Sequence, residues 1–189
     1  MNDLVLEFPA QVMEAMTIAS GFEGKLPRDF DNVLICGLGG SGIGGTILSQ
    51  LIDDGSPKPI LSSKDYTIPG FVGPKSLVII CSYSGNTEET LEALDSAIEA
   101  KAQIACITSG GKLLKMAKMN NWPVIQIPSG YPPRSAFGFS LVQLFKFASS
   151  FGLTTIDWQV EVNSAIERLE TELNEIQTRA KSLAAALVL

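Results

Sequence analysis

Five short apolar runs decide what this chain can fold into: Val33-Leu34-Ile35-Cys36, Pro59-Ile60-Leu61, Leu77 to Cys81, Gln103 to Ile107 and Pro123 to Ile127. Runs this short and this continuously apolar read as strands covered on both faces. Helical patterns follow the first (through Ile47, Leu48 and Leu51), the third (Thr87 to Ala100) and the fourth (Leu113 to Met119). Alternation of this kind predicts an α/β fold, a five-stranded parallel sheet with helices on both faces. Ligands of such sheets bind beyond the carboxyl ends of the strands, where the strand order reverses. In a 2-1-3-4-5 order that point lies between the first and third strands.

Three further helices are expected. Residues 3–19 read as an amphipathic leading helix, with a break at Pro9. Arg134 to Ser150 is apolar nearly all round, which predicts burial. In the last stretch Val162, Ile166, Leu169, Leu173, Ile176, Ala180, Leu183 and Leu187 recur at spacings of three and four, a heptad seam. That seam suits packing on its own domain, on another subunit or on a further domain. The closing "LAAALVL" has no Gly, Asn or Pro to stop a helix, an odd end for a complete protein.

With 46% hydrophobic and 18% charged residues among 189, the chain has the material for a real core. A net charge of −6 and no basic patch argue against a nucleic-acid partner. No apolar stretch approaches the ~20 residues of a membrane helix. Asp3 and Glu7 stand where a secretory signal needs a basic region, so a cytoplasmic, reducing setting is expected. Cys36, Cys81 and Cys106 then read as buried thiols. Their spacing and the absence of histidine speak against a zinc site.

"GLGGSGIGG", Gly37 to Gly45, leaves the first strand and opens a helix. Gly37, Gly39 and Gly42 satisfy G-x-G-x-x-G, which lets backbone amides at a helix N-terminus approach an anionic ligand. A dinucleotide site would also want an acid at the end of the second strand, and Ser62-Ser63-Lys64 stands there instead.

"CSYSGNTEET", Cys81 to Thr90, packs hydroxyls into the loop after the third strand and contains no cation. Asn86 or Thr87 can cap the next helix, and Asn86 with Glu89 resembles a capping box. Capping uses one side chain, which leaves hydroxyls to spare. Ser82, Ser84 and Thr87 at a helix N-terminus can hold one phosphate together with free amides. Glu88 and Glu89 must then face solvent or cap the helix.

"PSGYPPRSAFGFS", Pro128 to Ser140, leaves the fifth strand through a stiff double proline. It brings Arg134 to the start of an apolar helix, where the dipole disfavours a cation. A cation there wants an anionic partner, and a developing enediolate would serve.

Together the three stretches resemble the sugar isomerase (SIS) domain over about residues 1–155, and most closely the first SIS domain of bifunctional phosphoglucose/phosphomannose isomerases. The resemblance implies a flavodoxin-like SIS fold and interconversion of glucose 6-phosphate or mannose 6-phosphate with fructose 6-phosphate through an enediol, without metal or cofactor. It implies that Gly39, Gly40 and Ser41 line the sugar-phosphate site, that Ser82, Ser84 and Thr87 bind the phosphate, and that Arg134 is catalytic beside the enediolate. It also implies a second SIS domain supplying a glutamate base, a ring-opening histidine and a lysine, and a seam left without that partner would favour a homodimer. Residues 156–189 would be the helix leading toward that domain. On this reading the 189-residue chain binds sugar phosphate but does not turn it over. A phosphosugar-sensing SIS module without catalysis, or a dinucleotide-binding domain, are the competing readings.

Overall fold

The computed structural model describes residues 2–24, 27, 29–52 and 55–187; the backbone alone is described at Asn2. The chain begins with helices α1 (Asn2–Leu6) and α2 (Phe8–Ser20), then strand β1 (Asn32–Gly37) and helix α3 (Gly40–Ile52). Strands β2 (Ile60–Ser63) and β3 (Ser76–Ser82) follow, then α4 (Glu88–Glu99), β4 (Gln103–Thr108), α5 (Gly111–Met119) and β5 (Val124–Gln126). Helices α6 (Phe137–Ser150) and α7 (Trp158–Leu187) complete it. The sheet is parallel throughout in the order β2-β1-β3-β4-β5. The strand order therefore reverses between β1 and β3, where Gly37 pairs with Cys81.

Side-chain alternation along the strands splits the core in two. Val33, Ile35, Leu77, Ile79 and Ile107 face α2, α3, α6 and α7. Leu34, Cys36, Val78, Ile80 and Cys106 face α4 and α5. Both faces are covered, so β3 is buried at all seven positions and tolerates no polar alternation. Helix α6 packs on α2 and α3, with Phe139 and Phe147 fully buried. That burial is what its apolar circumference predicts. The three cysteines are buried and unbridged. Desolvation pushes the thiols of Cys36 and Cys106 up to about 12. Cys81 is raised by burial too, so all three are neutral at physiological pH.

Two local expectations are corrected. The leading helix breaks at Glu7, not at Pro9, which sits buried in the first turn of α2. Proline fits there because the N–H donors of a helix's first turn have no intrahelical carbonyl to bond. The seam of α7 divides its length: Trp158, Val162 and Ile166 pack on the domain, whereas Ile176, Leu183 and Leu187 are 47%, 62% and 77% exposed. Glu175 and Arg179 form the i,i+4 pair read from the sequence, at 3.8 Å and in solvent, where it adds little. Val188 and Leu189, also placed in this helix by the sequence, lie outside the described residues.

Candidate functional site

The glycine-rich turn is built mostly by packing. A Cβ at Gly37 would lie 2.9 Å from the Cys81 carbonyl oxygen on β3, and Gly42 abuts the Gly37 carbonyl. Gly45 seats α3 on Ile35 of β1, and Gly44 seats it against Leu144 of α6. Four of the six glycines thus let α3 come close to the sheet and to α6. The other two face outward. Gly39 has φ +57° with nothing within 4 Å, so it needs glycine for the turn alone. A Cβ at Gly40 would stand 3.3 Å from the Pro133 carbonyl oxygen and 3.7 Å from Arg134 Cα. The amides of Gly39 and Gly40 have no acceptor among the described residues, and Ser41 Oγ makes no hydrogen bond there. These are the unused donors of a helix N-terminus.

The hydroxyl-rich loop leaves β3 beside this turn. Ser82 is buried, and its Oγ accepts from the Gly85 amide at 3.1 Å and pairs with Thr87 Oγ1 at 3.0 Å. Ser84 is exposed, and its Oγ accepts from the Asn86 amide at 3.2 Å. Thr87 is half-buried at the N-cap of α4 and makes no cap bond with its side chain. The capping box is absent. Asn86 turns away, its Oδ1 accepting from the Lys112 amide at 3.0 Å and its Nδ2 donating to the Ser84 carbonyl. The first amides of α4 therefore keep their donors. Glu88 is exposed, and Glu89 lies beside the Tyr66 phenol, its negative charge raising that phenol above its ordinary range. Neither glutamate is a partner of the three hydroxyls.

The arginine loop crosses from β5, at one edge of the sheet, back over β3 to the glycine turn. The Tyr131 amide donates to Tyr83 Oη at 2.8 Å. The Ser135 amide and Oγ both donate to the Pro132 carbonyl, closing a turn with Pro133 and Arg134 at its tip. Arg134 precedes α6 rather than opening it, is exposed, and forms no ion pair among the described residues. The structure thus brings Gly39, Gly40, Ser41 and Arg134 to one place. Ser82, Ser84 and Thr87 lie on the adjacent strand end.

Sequence reading missed the fastenings. Tyr83 joins three loops, because its carbonyl also accepts from the Ser109 amide and hydroxyl, at 3.0 and 2.6 Å. Gly110 and Gly111 press on Gly85 so closely that neither Gly85 nor Gly111 can carry a Cβ, whereas Gly110 has open space on its own side. An aromatic ring among small polar residues was the available signal for Tyr83. Gln11 of α2, whose carboxamide bonds the Ser135 carbonyl and the Gly138 amide beside the arginine loop, was missed too, its signal being a polar residue on the apolar face of α2.

No family model matches the chain. The bifunctional phosphoglucose/phosphomannose isomerase of Caldicellulosiruptor bescii is 39% identical over 190 residues, covering 97% of this chain and 56% of that protein. The protein of the same name from Aquifex aeolicus is 37% identical over 156 residues, covering 82% of this chain and 47% of that one. The chain spans about half the length of the curated relatives it matches. Among solved structures, tagatose-6-phosphate ketose/aldose isomerase from Escherichia coli superposes with a TM-score of 0.65 at 16% identity, covering 90% of this chain and 52% of that one. At that identity the likeness speaks for the SIS fold alone.

Proposed function

We propose that this chain, homologous to the bifunctional phosphoglucose/phosphomannose isomerases over almost its whole length, is the sugar-phosphate-binding domain of an aldose–ketose isomerase acting on glucose 6-phosphate, mannose 6-phosphate and fructose 6-phosphate. One observation carries the reading. Two helix N-termini with free donors lie side by side at the reversal of strand order, and Arg134 backs onto Gly40 of one of them.

The chemistry follows from the donors. A phosphate dianion settles at the N-terminus of α4, taking amides of the first turn and the hydroxyls of Ser84 and Thr87. Ser82, already satisfied within the loop, shapes that turn and orients Thr87. The open-chain sugar reaches toward α3, where Gly39, Gly40 and Ser41 offer donors to its hydroxyls. Isomerisation moves a proton between C1 and C2, and negative charge develops on the two oxygens of the enediolate. Arg134 supplies fixed positive charge to those oxygens, a contribution realised in the transition state more than in the ground state. The base, the ring-opening histidine and the lysine belong to a second domain. A homodimer through the exposed part of the α7 seam is the proposed assembly and the cytoplasm the proposed setting, and sedimentation equilibrium would test the first.

Arg134→Ala tests the role. 5-Phosphoarabinonate carries a planar carboxylate where the enediolate forms. Its affinity for the chain is expected to fall about 10²-fold, on the scale of losing one charge-stabilising donor. Fructose 6-phosphate binding should change only a few-fold. Equal losses for both ligands would show that Arg134 binds substrate generally and has no enediolate role.

A further inference from the structure

The arginine loop has no cap of its own. Ala136 stands at the N-cap of α6 and offers no side-chain acceptor. The missing group comes from α2, far away in sequence. Gln11 is 6% exposed, its Oε1 accepts from the Gly138 amide at 3.1 Å, and its Nε2 donates to the Ser135 carbonyl at 2.8 Å. One carboxamide thus satisfies the first turn of α6 and grips the residue next to Arg134. A Cβ at Gly138 would come within 2.7 Å of Gln11 Oε1, so the seat of the glutamine needs glycine at this position.

The rest of the loop explains why this grip matters to Arg134. With no ion pair among the described residues, the guanidinium goes where its backbone sends it. The backbone is fixed at the near end by the Tyr83 hydroxyl on the Tyr131 amide. It is fixed at the far end by Gln11. We propose that Gln11 is a positioning residue for Arg134, setting the cation against the glycine turn. The proposal rests on the reading of Arg134 as the enediolate's cation.

The molecule provides its own control. Gln143 on α6 is fully buried and also ties α6 to α2, donating to the Ala15 carbonyl at 2.8 Å. It lies deeper in the helix pair, away from the loop, and its Oε1 has no partner among the described residues. Gln143→Leu therefore perturbs the same helix interface without touching the loop.

Three readings on wild type, Gln11→Ala, Gln11→Glu and Gln143→Leu separate positioning from plain stability. In Gln11→Ala, 5-phosphoarabinonate affinity is expected to fall about tenfold, since small misplacements of a charge-stabilising group cost one to two orders of magnitude. Fructose 6-phosphate affinity should stay within about two-fold, the difference between the ligands being the signature of a displaced cation. Trypsin cleavage after Arg134 should accelerate at least as much. Gln143→Leu should match wild type in all three. Gln11→Glu keeps the acceptor for Gly138 but donates to Ser135 only when protonated, so its affinity for the acid should recover as pH falls. Wild-type affinities and an unchanged cleavage rate in Gln11→Ala would overturn the proposal, as would equal effects from Gln143→Leu. If wild-type protein binds neither ligand, the isomerase reading fails with it. Cleavage after Arg134 would still report whether Gln11 holds the loop.

Discussion

In deuterium oxide, this chain is expected to exchange the C1 hydrogen of fructose 6-phosphate that passes through the enediol about 10²–10⁴-fold more slowly than a relative that spans both domains. The step is proton transfer at carbon, and a positioned general base contributes about that factor. The resemblance places the base, a glutamate, outside these residues. The ring-opening group it requires is a histidine, and the chain contains none. What the chain holds is donors and one exposed arginine at the reversal of strand order, which can bind an anion and stabilise charge. They cannot remove a proton from carbon. Proton NMR follows the exchange directly. A rate equal to that of the longer relative, abolished by Arg134→Ala, would show that this chain carries its own base.

Gly85→Ala is expected to lower the melting temperature by about 10 °C. Gly85 has φ +66°, where a side chain costs about 1–2 kcal/mol. Its Cβ would also run into the Gly110 carbonyl and stand 2.8 Å from Thr108 Oγ1. Overpacking of this kind adds about 1–3 kcal/mol. The obstruction is backbone, which cannot rotate aside, and Gly111 closes the other side against Ser84 and Gly85. A chain of this size loses about 2–4 °C per kcal/mol. Gly39→Ala separates the two terms, because Gly39 shares the positive φ but has open space around it. It should lose only a few degrees in a calorimetric scan. Equal losses at both positions would mean that the Gly85–Gly110 contact contributes nothing.

The sheet was legible because its central strands β1, β3 and β4 are buried on both faces. A run such as Leu77 to Cys81, followed by a helical pattern, reads as a buried strand, and the 2-1-3-4-5 order assumed for the sheet is the one observed. The positions of the three loops were legible for the same reason, since each begins where an apolar run ends. The division of labour within them was not. Periodicity does not distinguish a glycine that packs a helix, such as Gly45, from one that opens a site, such as Gly40, because the difference lies in what stands opposite. Nor could the sequence tell that Asn86 would bond to Lys112 instead of capping α4, since that partner arrives from the neighbouring loop. The partners of Gln11 were hidden for a related reason, lying 124 and 127 residues away. The exposed half of the α7 seam was legible as an apolar stripe, and its lack of a partner within the described residues was not.

A calorimetric titration of fructose 6-phosphate into this chain, with fructose as the control, tests the central claim most directly. One saturable site for fructose 6-phosphate is expected, with no heat from fructose and about tenfold weaker binding in Ser84→Ala, the loss of one hydrogen bond to a charged group. Fructose binding as well as its phosphate, or a folded chain that binds neither, would contradict that claim.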